Sequence, residues 1–158
     1  MGDVPDMARR STVIYLIGSL RNPRVPEVAA CLRRHAYEVF DDWYAAGSHA
    51  DEAWQAYEIQ RGHDYTQALQ GYAAQHVYHY DRHHLLRADL VVLLCPAGKS
   101  GHLELGWALG HGKPGYIFLD THVPDRYDVM YCFAAAVCAT IEDLLHAIQT
   151  TVSNAKHS

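Results

Sequence analysis

The chain has 158 residues and a formal net charge of −5, from 13 Lys and Arg and 18 Asp and Glu, with its 12 histidines counted as neutral. This length predicts a single domain, over residues 1–158, that buries a real hydrophobic core. The negative charge and the scattered basic residues disfavour binding of a nucleic acid polymer through its phosphates. No apolar stretch is long enough to span a membrane, and the first ten residues, with two Asp, two Arg and no apolar run, are unlike a signal peptide.

The cysteines give a further indication of compartment. Cys31, Cys95, Cys132 and Cys138 show no CxxC spacing, and three of them lie in apolar runs. This pattern is typical of buried free thiols in a reducing environment rather than of a disulfide framework. We therefore expect a cytoplasmic protein with no membrane partner.

The first part of the chain predicts a strand, a helix and a second strand. The β-branched apolar run at 12–17 ends at a Gly-Ser turn and predicts a buried strand. A helix follows over 26–36, because Pro26 suits a first helical turn and apolar residues recur at helical spacing. A short second strand occupies 37–40.

A long aromatic and polar segment comes next. Residues 50–72 are predicted to be helical, with breaks at Gly62 and Gly71. A minimal doubly wound domain has a shorter connection here. We therefore predict a helical insertion over about 49–79, covering one face or rim of a core over about 12–150.

The second half of the chain continues the alternation of strands and helices. Its predicted elements are a short helix over 81–87, a strand over 88–95, a helix over 101–112, a strand over 115–119, a short strand over 136–139 and a closing helix over 141–148. Thr140 suits the N-cap of the last helix. This order predicts an α/β fold: a doubly wound, five-stranded parallel sheet with helices on both faces.

Three loops leave the carboxyl ends of the first three strands, at 18–22, 41–43 and 98–102. In an open parallel sheet such loops converge on one crevice, so we predict ligand contacts from them. The candidate residues are Gly18, Ser19, Arg21, Asn22, Asp42, Trp43, Gly98, Ser100, Gly101 and His102. Each loop alone also has an ordinary explanation, since Gly-Ser and Asp-Asp turns commonly follow strands.

Glu104 is the one carboxylate in the segment 96–110, which follows the strongest strand signal. Its apolar neighbours, Leu103, Leu105 and Trp107, indicate a partly enclosed helix start. A structural explanation is equally open: Ser100 could cap the helix, and Glu104 could be a first-turn acid that contributes about 1 kcal/mol. The residues alone leave Glu104 as either a cap partner or a catalyst.

Other motifs are weaker. The histidine-rich stretch 76–84 could ligate zinc, but no HExxH or H-x-E…C-x-x-C pattern accompanies it. Lys99 and Ser100 do not have the spacing of a phosphate-binding P-loop, and Ser19 and Ser100 lack a nucleophile elbow. We expect no metal and no cofactor.

Four landmarks occur in a fixed order along 12–145. They are Tyr15-Leu16-Ile17-Gly18-Ser19-Leu20-Arg21-Asn22, Asp81 ahead of the third strand, Ser100-Gly101-His102-Leu103-Glu104-Leu105-Gly106-Trp107-Ala108, and Asp128-Val129-Met130. In this order they resemble the nucleoside 2-deoxyribosyltransferase family and the related N-glycosidases that hydrolyse nucleoside 5′-monophosphates. The resemblance implies a flavodoxin-like sheet and cleavage of an N-glycosidic bond with retention.

The resemblance also implies roles for three residues. Glu104 matches the nucleophile that forms a covalent glycosyl-enzyme, Asp81 matches the acid/base, and Tyr15 matches the residue that orients the Glu carboxylate. The roles are chemically reasonable, because a nucleobase leaves poorly as an anion and needs a proton. Carboxyl groups in a retaining site lie about 5–5.5 Å apart.

The fourth landmark implies a homo-oligomer, a dimer or higher. In the family an Asn-x-Met element reaches into the active site of a neighbouring subunit; here the matching residues are Asp128 and Met130. A carboxylate at Asp128 can accept hydrogen bonds from sugar hydroxyls but repels a 5′-phosphate. The monophosphate-hydrolysing relatives have Ser there and also six residues before the Glu, where this chain has Gly98.

The expected partners are a small-molecule nucleoside or nucleotide and a free nucleobase. Asp42, Trp43 and the aromatic insertion are the candidate base readers, and Arg21, Lys99 and the start of the helix before Glu104 could hold a phosphate. The sugar could pass to another base or to water. Two alternatives stay open: a non-catalytic nucleotide-binding sensor, and cleavage of a dinucleotide such as NAD.

Overall fold

A computed structural model describes residues 10–158. The strands are β1 (Val13–Ile17), β2 (Glu38–Phe40), β3 (Leu90–Leu94), β4 (Gly115–Phe118) and β5 (Ala136–Cys138). The helices are α1 (Val25–Arg34), α2 (Ala50–Gln60), α3 (Tyr65–Leu69), α4 (Tyr72–Arg87), α5 (Lys99–Gly110) and α6 (Ile141–Ala155), with 3₁₀-helices at Asp42–Ala46 and Val129–Phe133.

The strands form one sheet in the order β2-β1-β3-β4-β5, and every neighbouring pair is parallel. All side chains of β1, β3 and β4 are buried. Continuous apolar strands of this kind need helices on both faces, which is why their sequences run without polar alternation. The predicted flavodoxin-like, doubly wound sheet is confirmed.

Two hydrophobic cores cover the two faces of the sheet. Alternate residues of β1 divide between them: Ile14 and Leu16 pack with α1 and α6, while Val13, Tyr15 and Ile17 pack with α4 and α5. This alternation is the ordinary period of a strand. It places the Tyr15 side chain on the face of the sheet that carries α4 and α5.

The crevice lies at the carboxyl ends of β1 and β3. The helix after β1 packs on one face of the sheet and the helix after β3 packs on the other. Connections that diverge from neighbouring strands open a crevice at that point, where ligands of doubly wound folds bind. The first turn of α5 therefore begins beside the crevice.

The predicted start of the fourth helix was wrong. The sequence predicted a short helix over 81–87 after an insertion ending near 79, whereas α4 runs unbroken from Tyr72, with Gly71 as its N-cap. Only Leu85 of α4 is buried. With so little apolar periodicity, the sequence did not mark where this helix begins. The breaks after α2 and before α4 are confirmed, with Gly62 at φ +80°.

The cysteines are free, as predicted, but they are not all buried. Cys95 and Cys138 are buried and Cys31 is half-buried, whereas Cys132 is exposed. The apolar run that contains Cys132 forms a 3₁₀-helix with no buried residue. Among residues 10–158, no helix is both long and apolar enough to cross a bilayer.

Candidate active site

Helix α5 begins two residues earlier than the sequence predicted. Its N-cap is Gly98, which makes no side-chain capping bond, and no acidic residue lies in its first turn. Ser100 is therefore inside the helix and is not its cap, and Glu104 lies in the second turn. The explanation of Glu104 as a first-turn acid is wrong, because the helix dipole acts mainly within the first turn.

Gly101 brings α5 close to the sheet. A Cβ at this position would lie 3.0 Å from Ile17 Cγ2 and 3.1 Å from Leu93 Cδ1. Any larger residue would push the helix away from β1 and β3. Gly101 thus has a packing role, because it sets how closely the start of α5 approaches the sheet; its ligand contact stays a prediction.

Tyr15, Asp81 and Glu104 come together between β1, α4 and α5. Burial raises the pKa of Glu104 to about 7; hydrogen bonding from the Tyr15 hydroxyl opposes this rise, and the charge of Asp81 adds to it. Burial also raises the pKa of Asp81 to about 6. The pKa of Tyr15 is raised by burial and then by the charges of Glu104 and Asp81. Tyr15 therefore stays protonated as a donor.

One oxygen of Glu104 has no partner. Its Oε2 is shielded from solvent and accepts no hydrogen bond from any described residue. A buried carboxylate oxygen without a donor or a cation disfavours the charged form. In the free protein, the Glu104 carboxylate therefore lacks a partner among the described residues that would stabilise its negative charge at Oε2.

Phe40 packs against both β1 and α4. Its ring lies 4.9 Å from the ring of Tyr15 and 5.7 Å from that of Tyr80, and it stacks on His84 at 3.9 Å. Tyr80 and His84 flank Asp81 on α4. The sequence analysis missed Phe40 and His84; the signal available was the position of His84, three residues after Asp81 on one helix.

The three predicted loops do converge, but two of their polar side chains are already engaged. Asn22 is buried and donates from Nδ2 to the carbonyl of Cys95 at 3.4 Å. Trp43 donates from Nε1 to the carbonyl of Leu16 at 2.8 Å. These bonds hold the β1, β2 and β3 loops to one another. In the free protein, the single indole N–H of Trp43 is therefore not available to a base, and one of the two amide N–H groups of Asn22 is used.

The remaining loop residues differ in exposure. Ser19 Oγ accepts from the Arg21 backbone N–H at 3.1 Å, and the Arg21 side chain pairs with Glu52 of α2. Asp42 is exposed in the first 3₁₀-helix. Gly98 has open space where a Cβ would be.

His102 fixes the second 3₁₀-helix against α5. Its Nδ1 donates to the carbonyl of Gly98 at 2.7 Å, so its Nε2 accepts from the Tyr131 hydroxyl at 2.9 Å. Burial raises the pKa of Tyr131 to about 12, which keeps this hydroxyl a donor. The polar atoms of His102 are thereby used within the chain.

Asp128 and Met130 do not join Tyr15, Asp81 and Glu104 within one chain. Asp128 caps the second 3₁₀-helix by accepting from the Met130 N–H at 2.9 Å. Both residues line a groove of about 590 Å³ together with His102, Gly106 and Leu109 of α5. At 3.6 residues per turn, that flank of α5 is opposite the one that carries Glu104.

The histidines of 76–84 lie on α4. Within residues 10–158, no three or more His, Cys, Asp and Glu side chains are grouped so that they could hold a metal ion. One of them, His84, has a shielded Nδ1 without a hydrogen-bond partner among the described residues.

Comparison with known proteins gives matches at the level of structure. No protein-family model and no curated protein sequence matches this chain. A conserved protein from Enterococcus faecalis V583 has a TM-score of 0.62 and 16% identity, over 90% of this chain and 99% of that one. A 2-deoxyribosyltransferase from Bacillus psychrosaccharolyticus has a TM-score of 0.58 and 18% identity, over 84% of this chain and 90% of that one. The chain thus shares the fold of a known 2-deoxyribosyltransferase.

Proposed function

We propose that this chain cleaves the N-glycosidic bond of a nucleoside or nucleotide with retention, through a covalent sugar intermediate on Glu104. The observation that carries the proposal is the enclosed group of Tyr15, Asp81 and Glu104, with its two carboxyl pKa values raised to about 6 and about 7. Perturbed carboxyl pairs in a crevice are typical of catalytic sites. The shared fold with a 2-deoxyribosyltransferase supports the same chemistry.

In the first step, the Glu104 carboxylate attacks the anomeric carbon of the sugar. The bond from that carbon to the base nitrogen breaks, and its electron pair goes to the base. Asp81 gives its proton to the base, which leaves as a neutral heterocycle. The sugar carbon gains positive character on the way, and the unpartnered Oε2 of Glu104 is suited to stabilise it.

In the second step, an acceptor attacks the same carbon from the side that the base left. The acceptor is a ring nitrogen of another base or a water molecule. The bond to Glu104 breaks, and the Asp81 carboxylate takes the proton of the acceptor. Two inversions give net retention, and both carboxyl groups return to their starting states.

Tyr15 has a positioning role in this mechanism. It is 1% exposed and lies on a central strand, so its hydroxyl has little freedom. Hydrogen bonding from that hydroxyl lowers the pKa of Glu104 against the effect of burial. Tyr15 thereby stabilises the ionised form of the nucleophile.

The active form is proposed to be a homo-oligomer in which Asp128 and Met130 complete the site of a neighbour. They lie on the flank of α5 away from the Glu104 of their own chain, in an apolar groove. Val129, Met130 and Phe133 are exposed in the same segment, although they are apolar. Exposed apolar groups clustered in this way mark interaction surfaces. A neighbour's Asp128 in the site would favour an uncharged sugar end over a 5′-phosphate.

A product assay tests the reaction and identifies the acceptor. The protein is incubated with a deoxynucleoside and a second free base, and the products are separated by chromatography. A new nucleoside indicates transfer, free sugar indicates hydrolysis, and Glu104→Gln should abolish both. Intact recovery of every nucleoside, nucleotide and dinucleotide offered would contradict the proposal and favour a binding module.

A further inference from the structure

A cavity of about 530 Å³ lies between α2, α3 and the first turn of α5, a volume within the range of ligand pockets. We call it the insertion cavity. Ser100 lines its wall, and Ser100 precedes Glu104 by four residues. Residues four apart on a helix lie on one flank, about one turn of 5.4 Å from each other. The insertion cavity therefore adjoins the Glu104 side of the crevice.

The lining of the insertion cavity is acidic. It includes Asp51, Glu58 and Asp64, with His63 as its one basic neighbour in the lining. Carboxylates repel an anion, so the phosphate end of a nucleotide is disfavoured here. They accept hydrogen bonds from N–H groups. The part of a nucleoside that carries N–H donors is the base.

Glu58 is central to this lining. It is 2% exposed and is the only buried residue of α2. Its Oε2 lies 2.5 Å from His63 Nδ1, and its Oε1 lies 3.5 Å from Arg61 Nη1. A carboxylate has about four lone-pair positions, so Glu58 keeps acceptor capacity beside these two partners.

Trp54 supplies a donor one turn before Glu58 on α2. It lines the insertion cavity, and its Nε1 is shielded from solvent without a hydrogen-bond partner among the described residues. A buried donor without an acceptor is unfavourable and calls for an explanation. Because Nε1 is shielded, the indole must turn for this donor to reach an acceptor held in the cavity.

We propose that the insertion cavity is the base subsite of this protein, with Trp54 Nε1 donating to a carbonyl oxygen or ring nitrogen of the base and Glu58 accepting from one of its N–H groups. This assignment rests on the proposed N-glycosidic function, because it places the base one helical turn from the sugar at Glu104. Trp54 and Tyr65 offer aromatic faces for the ring. Nucleobases present a donor next to an acceptor, as this lining requires.

The test is a titration of the full chain with free adenine, hypoxanthine and cytosine, followed by calorimetry and by tryptophan emission. Trp54→Phe removes the N–H and keeps an aromatic ring. Trp107→Phe is the matched control, because Trp107 stacks on His111 near the end of α5. Binding of at least one base should perturb the emission of Trp54 and weaken about tenfold in Trp54→Phe, as expected for one hydrogen bond. It should be unchanged in Trp107→Phe.

Thermal unfolding separates this effect from misfolding. Trp54→Phe loses no hydrogen bond of the free protein but does lose packing of the larger ring, so its unfolding temperature should fall only slightly and the variant should stay folded at the temperature of the titration. Equal base affinity in parent and Trp54→Phe, or no binding of any of the three bases, would overturn the base subsite. Failure of the subsite is distinguishable from failure of the reaction, since sugar trapping on Glu104 by a fluorinated nucleoside is measured by mass and does not depend on free-base affinity.

Discussion

Asp81 and Glu104 interact through their charges: after burial, which is the largest cause, the charge of Asp81 raises the pKa of Glu104. Asp81 lies on α4 and Glu104 on α5, and Tyr15 of β1 interacts with both. The two carboxyl groups therefore titrate as one unit, while Tyr15 stays protonated. Protonation states in this unit belong to the pair of carboxyls rather than to either residue alone.

The pH dependence of kcat/KM should be bell-shaped. The reaction needs one proton on the carboxyl pair, held by Asp81 while Glu104 is ionised. This is the less populated of the two arrangements, because the pKa of Glu104 lies above that of Asp81. With pKa values of about 6 and about 7, activity should rise through the lower value and fall through the higher one. Initial rates measured from about pH 4 to about pH 9, roughly two units beyond each pKa value, check this shape. A flat profile across that range would contradict the assignment.

Tyr15→Phe provides the matched variant for the same measurement. It keeps the ring that packs on Phe40 and removes only the hydroxyl whose hydrogen bonding lowers the pKa of Glu104. The alkaline limb should therefore move to higher pH, and the maximal rate should fall. A merely structural tyrosine would lower the rate without moving the limb.

Glu104→Gln should stabilise the fold, increasingly as pH rises. The folded state raises the pKa of Glu104 from 4.5 to about 7. The folded state thus favours the protonated form, and stability is lost as pH rises from the ordinary pKa to the raised one. The variant avoids this loss, which amounts to about 3 kcal/mol at most. Urea denaturation at intervals from pH 4.5 to about 8, above the raised value, measures the difference.

Glu142→Gln is the control for this experiment. Glu142 is exposed in the first turn of α6, away from the site. Its replacement should leave the pH dependence of the parent in place. Parallel stability curves for Glu104→Gln and the parent would show that Glu104 is not destabilised by burial.

Gly101→Ala should destabilise the protein and lower its activity. The added Cβ would lie 3.0 Å from Ile17 Cγ2 and 3.1 Å from Leu93 Cδ1, and overpacking of this kind costs about 1–3 kcal/mol. Gly106→Ala is in the same helix, and its added Cβ would meet no atom of the described part of its own chain within 4 Å. This substitution should raise the free energy of unfolding by up to about 1 kcal/mol, because Ala has a higher helix propensity than Gly. Thermal unfolding of both variants compares them; equal shifts would contradict the close approach of α5 to the sheet.

Mixing two inactive variants tests whether subunits share the site. Asp128→Ala and Glu104→Gln should each be inactive alone. If Asp128 completes a neighbour's site, a mixed dimer has one intact site, so an equal mixture should recover about a quarter of the parent activity after subunit exchange. No recovery in a mixture shown to contain mixed oligomers would place Asp128 outside the neighbour's site.

The sequence predicted the sheet well because each buried strand is a short apolar run bounded by turn residues. The runs that became β1, β3 and β4 need no tertiary information to be recognised. The prediction from sequence failed where few side chains are buried: α4 has one buried residue, so no apolar pattern marked its start at Tyr72. It also failed for Cys132, because an apolar run there stays on the surface.

The candidate site was predictable in its location and less so in its details. The convergence of three loops follows from parallel topology, but the bonds of Asn22 and Trp43 to backbone carbonyls depend on tertiary geometry that no local pattern encodes. The placement of Glu104 in the second turn depended on Gly98 serving as N-cap in place of Ser100. Because α5 begins two residues earlier than predicted, Glu104 lies in its second turn and is enclosed, instead of lying in the first turn as a helix-stabilising acid.

The most direct measurement for the central claim is the mass of the protein after exposure to a nucleoside with a 2-fluoro sugar, which slows both steps and favours accumulation of the intermediate. We predict a mass increase equal to one fluorinated sugar, located by peptide mapping on Glu104 and absent in Glu104→Gln. Product formation without any sugar adduct, or an adduct on another residue, would contradict Glu104 as the nucleophile.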